Sequence, residues 1–300
     1  MITPQVVYVI SDPVKKPPYK LLKQHEADTQ FRAAYLNRTG ILYRHYYGPA
    51  GPRPPPKLHM WPAPAIGAVH KVASNYGHWS CDKNADKQCA AATHIDLELQ
   101  VVSLEPRVFL IENFLSAYEA DHIIDYCKSR IKDSIVGSAE GGGIMKSDTR
   151  TSKNTWVPRA TSHVTESLFR RAADLLRVDE SLLESHKNVE DMQVVLYVNG
   201  QRYASPHDWG VNGHPEDRLI TLLLYLTDQA DPGAGGETSF PKGAGGQGFK
   251  VAPKKGTAVL FYDLLEDGNG DDLALHAALP VHRGEKWLAN FWVWDPKRRD

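Results

Sequence analysis

The chain is poor in cysteine: Cys81, Cys89 and Cys127 are the whole complement in 300 residues. That is too few for a dense disulfide framework. Cys81 and Cys89 close a short loop if bonded in an oxidising compartment. A zinc site that recruits the neighbouring His78 is the rival, and free thiols are the third reading. The chain also lacks any run of eighteen apolar residues, so no helical membrane span is expected. Its opening, MITPQVVYVISDPVKKPP, has no basic stretch leading into a long apolar one and does not read as a signal peptide. Location stays open between the secretory or extracellular space, if a targeting segment has been removed, and the cytoplasm. Charge of one sign is missing too. Lys plus Arg number 35 and Asp plus Glu 36, a balance that argues against a broad electrostatic surface for nucleic acid. Nothing in the sequence fixes an oligomeric state.

What is present is enough apolar residue, including seven tryptophans, for a sizeable core. Residues 1–100 form one compositional zone, broken by GPAGPRPPPK, which must be an extended loop because proline removes backbone donors. Candidate strands at 5–10, 40–48 and 65–73 make this zone a small strand-rich or irregular module. From residue 101 the pattern changes. PRVFLIENF reads as a strand, and Ser116 with Glu119 three residues on forms a capping box ahead of a helix with apolar residues at helical spacing. HVTESLFRRAADLLRV is a second amphipathic helix. From residue 191 short strands alternate with glycine turns: MQVVLYV, RLITLLLYLTD, GFKVAPKKGTAVLFYDL and KWLANFWVWD. Short, evenly spaced strands predict a barrel or jelly roll with helices outside it, an α+β domain over 101–300.

Two stretches carry chemistry, YVNGQRYASPHD at 197–208 and LHAALPVHRGEK at 275–286. Reactive Fe(II) sites commonly use two histidines and one carboxylate on one face of the metal, with the other positions open. Two ligands at i and i+2 on a strand point the same way, and a third arrives from elsewhere. Asp208 and His276 suit such a site, but two residues before Asp208 stands Pro206, which has no coordinating group. His207 is adjacent to Asp208 and points away in a regular strand; only a bulge turns it inward. His214-Pro215-Glu216 offers the right i, i+2 chemistry as a second route. Lys286 follows His276 by ten residues and suits the distal carboxylate of a dicarboxylic cosubstrate, with Arg283 as its rival. Tyr197 stands on a neighbouring strand with a hydroxyl to offer the same acid.

Residues 106–295 resemble the catalytic domain of the prolyl 4-hydroxylase family. The resemblance runs through FLS and its helix, Arg150-Thr151-Ser152, Tyr197 to Tyr203, YLTD at 225–228, GGETSFP at 235–241, PKKGTAVLF at 253–261 and the run from Leu275 to Trp287. It implies a double-stranded β-helix, Fe(II) and 2-oxoglutarate as cofactors with ascorbate as accessory reductant, and a proline-containing peptide or protein as substrate. It matches Asp208 and His276 to metal ligands, Tyr197 and Lys286 to cosubstrate contacts and Trp292 to a tryptophan beside the pocket. Thr221 is a further polar contact for the cosubstrate, and Arg150, Trp156 and Trp209 fall to the peptide groove. His207 is the stand-in for the missing metal histidine. Anchoring on Tyr203 puts Pro206 at the histidine position; anchoring on Pro-His puts Trp209 at the carboxylate position. Neither restores the ligand pair, so an impaired hydroxylase and an inactive peptide-binding relative both follow.

Overall fold

The computed structural model describes residues 29–30, 32–34, 36–37, 56–81, 88–133, 152–184, 187–204, 207–209, 218–266 and 268–296. Two compact units divide the chain at Arg53 and Pro54. In the first, the described residues between 29 and 37 are helical. The strands expected at 5–10 and 40–48 lie outside the described residues.

The second unit runs in chain order through β1 (Val69–Ser74), β2 (Trp79–Cys81), β3 (Cys89–Ala91), β4 (Ile95–Ser103) and β5 (Val108–Ile111). Next come helix α1 (Ala117–Lys128), β6 (Lys132–Asp133), β7 (Lys153–Val157) and helix α2 (His163–Leu176). Then follow β8 (Met192–Tyr197), β9 (Tyr203–Ala204), β10 (Arg218–Tyr225), β11 (Thr238–Phe240), β12 (Phe249–Val251), β13 (Ala258–Tyr262), β14 (Ala277–Ala278) and β15 (Lys286–Trp294). A large sheet has the order β1-β4-β5-β13-β10-β15-β8-β7-β6, and a small one β12-β11-β14-β9. Their strand pairs are antiparallel throughout. The architecture is mostly strand, with two α-helices against one face of the large sheet.

The module expected over residues 1–100 needs correcting. β4 crosses position 100 and pairs with β1 on one side and β5 on the other. Its alternation buries Leu97, Leu99 and Val101 in the same core as the helices. β4 thus takes one partner from before position 100 and one from after it. β2 and β3 form a separate hairpin closed by a Cys81–Cys89 disulfide, which selects among the three readings of those cysteines. His78 instead meets the Asn113 carbonyl, and Cys127 is a buried free thiol whose pKa burial pushes up to about 12.

Strand alternation sorts the core into two halves. Ile220, Leu222, Leu224, Val194, Leu196, Ala289, Phe291 and Val293 face the helices. Val195, Tyr197, Leu223, Tyr225, Val259, Phe261 and Leu288 face the other way, into a cluster shared with Phe240 of the small sheet. The helices are seated by their first turns. Ser116 and Glu119 make the expected capping box, and Ser162 with Thr165 makes a second. Glu119 also takes both outer nitrogens of Arg171 at 2.8 and 2.9 Å, with both side chains fully buried. Arg171 donates further to the carbonyls of Tyr76, Phe114 and Gly77. An ion pair without water needs such saturation, because each charge has lost its hydration. It ties α1 and α2 to the segment leading into the hairpin.

Candidate active site

The inner face of the large sheet, the one turned to the small sheet, carries the polar groups. On β15 that face reads Lys286, Leu288, Asn290, Trp292; on β10 it holds Thr221, Leu223 and Tyr225; on β8 it holds Gln193, Val195 and Tyr197. Cross-strand register makes neighbours of Lys286 and Tyr197, Thr221 and Trp292, and Thr221 and Phe261. One period-2 pattern thus gathers residues more than ninety positions apart, such as Gln193 and Asn290, whose amides bond at 3.2 Å.

At one end lies an ammonium in an apolar enclosure. Lys286 is 3% exposed, and among the described residues nothing hydrogen-bonds to its Nζ. It sits 5.5 Å from the centroid of the Tyr197 ring and 5.6 Å from that of Tyr225. Burial lowers its pKa to about 7, against a smaller upward pull from Glu237. Tyr225 donates its hydroxyl to Thr238 at 2.7 Å. Glycines line this end. A Cβ on Gly235 would lie 2.1 Å from the Pro280 carbonyl oxygen, and one on Gly236 would meet Val281 at 3.3 Å and the Lys286 stem at 3.4 Å. Both have positive φ, the conformation glycine adopts without cost. A buried, underused cation is expensive unless an anion joins it, so this end is built for a carboxylate. Arg283, the rival cation, is exposed and pairs with Asp231 instead.

At the other end Asp208 and His276 meet, Oδ2 to Nε2 at 3.5 Å, both buried. His276 Nδ1 lies 3.1 Å from the Ala274 carbonyl. A carbonyl only accepts, so Nδ1 carries a hydrogen, and Nε2 is the nitrogen turned toward Asp208. The ring is packed edge-on against Phe261 and tilted against Phe240. Asp208 Oδ2 accepts from Thr221 Oγ1 at 2.9 Å and from Trp292 Nε1 at 2.9 Å. Burial alone would raise the Asp208 pKa. His276, Arg218, the Trp292 N–H and the Thr221 hydroxyl together outweigh it and hold the carboxyl below its ordinary value.

Thr221 Oγ1 also lies 2.7 Å from Asp263 Oδ2. One hydroxyl hydrogen cannot serve both carboxylates. Burial and then the Asp208 charge push the Asp263 pKa well up.

His207 and Trp209 do not join this end. His207 Nε2 lies 3.3 Å from the Asp272 carbonyl oxygen, with its ring against Trp209. Trp209 donates to the Asp271 carbonyl at 3.1 Å and covers Gly270 so closely that a Cβ there would strike the indole at 2.3 Å. Residues 207 and 209 thus clamp the 270–272 turn, while Asp208 between them turns to Thr221, Trp292 and His276. His207 therefore faces the 270–272 turn rather than Asp208 and His276, which corrects its expected place as a metal ligand, and Trp209 packs on the same turn. Among the described residues no three His, Cys, Asp or Glu side chains gather as a metal-binding group. Trp156 does stand at the rim, 43% exposed and 6.2 Å from the Trp292 ring. Arg150, Pro206 and the His214-Pro215-Glu216 alternative lie outside the described residues.

The donors fit a hard divalent cation with two protein ligands, one anionic oxygen and one imidazole, and leave its remaining positions to cosubstrate and solvent. The Lys286 end fits one carboxylate of a dicarboxylate. Sequence reasoning missed Tyr225, Asp263, Arg218 and Glu190 as parts of this site.

Residues 192–294 match the 2OG-Fe(II) oxygenase superfamily. The chain is similar to probable prolyl 4-hydroxylase 7 of Arabidopsis thaliana, 32% identical over 64% of this chain and 64% of that protein. It is similar to prolyl 4-hydroxylase 2 of the same plant, 32% identical over 65% of this chain and 70% of that one. Among solved structures it is similar to the viral collagen prolyl hydroxylase of Paramecium Bursaria Chlorella virus-1 in a 2OG complex, at 30% identity, with 62% of this chain and 95% of that one covered and a TM-score of 0.48. The chain spans 64% of the length of the first relative.

Proposed function

Since the chain belongs to the prolyl 4-hydroxylase family, whose dioxygenases use Fe(II) and 2-oxoglutarate, we propose that it hydroxylates prolyl residues in a peptide or protein at the site between Lys286 and Asp208–His276, with the metal on two protein ligands. The observation that carries this reading is the buried, unpartnered Lys286 ammonium on the same inner face as the Asp208–His276 pair. The two antiparallel sheets, with the polar groups between them, support the family's double-stranded β-helix as the fold.

Fe(II) with 2-oxoglutarate supplies oxygen activation and C–H hydroxylation, chemistry that belongs to the bound groups rather than to side chains. The protein's part is to bind, orient and shield. Lys286, near the rings of Tyr197 and Tyr225, would pair with the distal carboxylate, and Asp208 and His276 would hold the metal. Thr221 and Trp292 fix the carboxylate through Oδ2, and the Ala274 carbonyl fixes the imidazole through Nδ1. Such outer partners set ligand orientation and basicity. Phe240 and Phe261 exclude water from the histidine ring. Trp156, exposed beside Trp292, is an aromatic edge for a proline ring.

The test is succinate release and a one-oxygen mass gain with proline-rich peptides, under Fe(II), 2-oxoglutarate and ascorbate. Weak turnover is expected, and it should vanish in Asp208→Ala and His276→Ala. The incomplete ligand set favours a second reading, an inactive relative that only binds peptide. Peptide binding with no Fe(II)-dependent succinate at any metal concentration would establish that reading in place of the first.

A further inference from the structure

We propose that Arg218, clamped by Glu190, is the positioning residue that holds Asp208 and Trp292 in register with the metal. Simple alternation on β10 would send Arg218 to the helix side, because Thr221 and Leu223 face inward. Its register with β15 slips between Arg218 and Ile220: Arg218 pairs with Trp294 while Ile220 pairs with Val293. Two steps on one strand oppose one step on the other, which is a β-bulge. A bulge re-aims the side chain at its start, and here it turns Arg218 inward beside Thr221.

Once inside, the guanidinium is fixed from three sides. Its carbon lies 3.6 Å from the centroid of the Trp292 ring, a stacked contact. Its Nε and Nη2 donate to the two oxygens of Glu190 at 2.6 and 2.9 Å, and Glu190 also accepts from Trp294 Nε1 at 2.9 Å. The remaining nitrogen, Nη1, faces Asp208 Oδ1 at 3.7 Å. Trp292, held flat under the guanidinium, donates to the other oxygen of the same carboxylate. Arg218 therefore acts on both oxygens of Asp208, on one directly and on the other through the indole. A planar fork does this where a lysine could not, since it stacks and bridges at once. With Pro206 unable to contribute a ligand, a preset Asp208 is the main preorganised anion for the cation. Trp156 lies 6.2 Å from the buried Trp292 ring, so the clamp also steadies the aromatic edge.

The inference rests on Asp208 being a metal ligand, and the experiment separates the two claims. Anaerobic titration with Co(II) as the probe, and with Fe(II), reads metal affinity in the wild type, Arg218→Met and Glu190→Gln. Binding of 2-oxoglutarate to the metal-free protein, read by thermal shift, reports on the distant Lys286 end. Arg218→Met should weaken metal binding about 10- to 100-fold, the usual effect of losing an outer partner, with the 2-oxoglutarate response unchanged. Glu190→Gln, which keeps Arg218 but loosens its clamp, should shift metal affinity in the same direction and guards against a misfolded Arg218 variant. Metal affinity unchanged in both variants overturns the inference alone. Equal loss of metal and 2-oxoglutarate binding overturns it by showing general disruption. A wild-type protein that binds neither metal overturns the ligand reading and the inference with it.

Discussion

Replacing Pro206 with histidine tightens Fe(II) binding by about tenfold or more and raises 2-oxoglutarate turnover, roughly 1.4 kcal/mol for each tenfold. The resemblance anchored on Tyr203 puts Pro206 at the position of the family's metal histidine. His207 and Trp209, in contrast, are committed to the Asp271–Asp272 turn. An imidazole at 206 is expected to supply the missing ligand, whereas residue 207 cannot without giving up that turn. A Pro206→Ala control separates the new ligand from the loss of proline's rigidity. Equal affinity and turnover in the histidine and alanine variants would sink this account of the vacancy.

Lys286→Met should abolish the 2-oxoglutarate response and, at the same time, make the ligand-free protein more stable. Losing one partner of a buried charge pair costs about 2–5 kcal/mol of binding, roughly 30-fold or more in affinity. The stability change follows from the lysine's pKa, held at about 7 by burial against 10.5 ordinarily. Between those values the unfolded chain binds more protons than the folded one, so stability rises with pH through that window. At pH 7 and below the full desolvation penalty is present, and removing the ammonium relieves it. The melting gain of the methionine variant should thus be largest at pH 7 or below and fade toward pH 10.5. The wild type's affinity for 2-oxoglutarate should weaken as pH rises above 7, because the acid needs the charged lysine. A methionine variant that melts lower than wild type at pH 7, or still responds to 2-oxoglutarate, would contradict the assignment.

Tyr197, Lys286 and Trp292 were legible through the family resemblance, and Thr221 as a polar residue on an apolar strand; cross-strand register brings Lys286 beside Tyr197 and Thr221 beside Trp292. The two capped helices were readable because capping is local chemistry. Tyr225 and Asp263 were within reach of strand alternation, four residues after Thr221 and two after Phe261, but neither belongs to a ligand motif. Arg218 was not within reach. Alternation gives it the wrong face, and the bulge that turns it depends on a register with β15 that no local pattern encodes. Glu190 was hidden because it acts only through Arg218 and Trp294. The boundary near residue 100 failed for a related reason: composition changes there, but β4 takes its partners from both sides of the change. The orientation of His207 was set by a turn more than sixty residues later.

The most direct test of the central claim is anomalous scattering from crystals grown anaerobically with Fe(II) and 2-oxoglutarate. The account predicts one iron peak bridging Asp208 and His276, with the far carboxylate of 2-oxoglutarate against Lys286 Nζ and His207 still at the Asp272 carbonyl. An iron peak elsewhere, a peak ligated by His207, or 2-oxoglutarate bound at Lys286 with no metal beside Asp208 would contradict it.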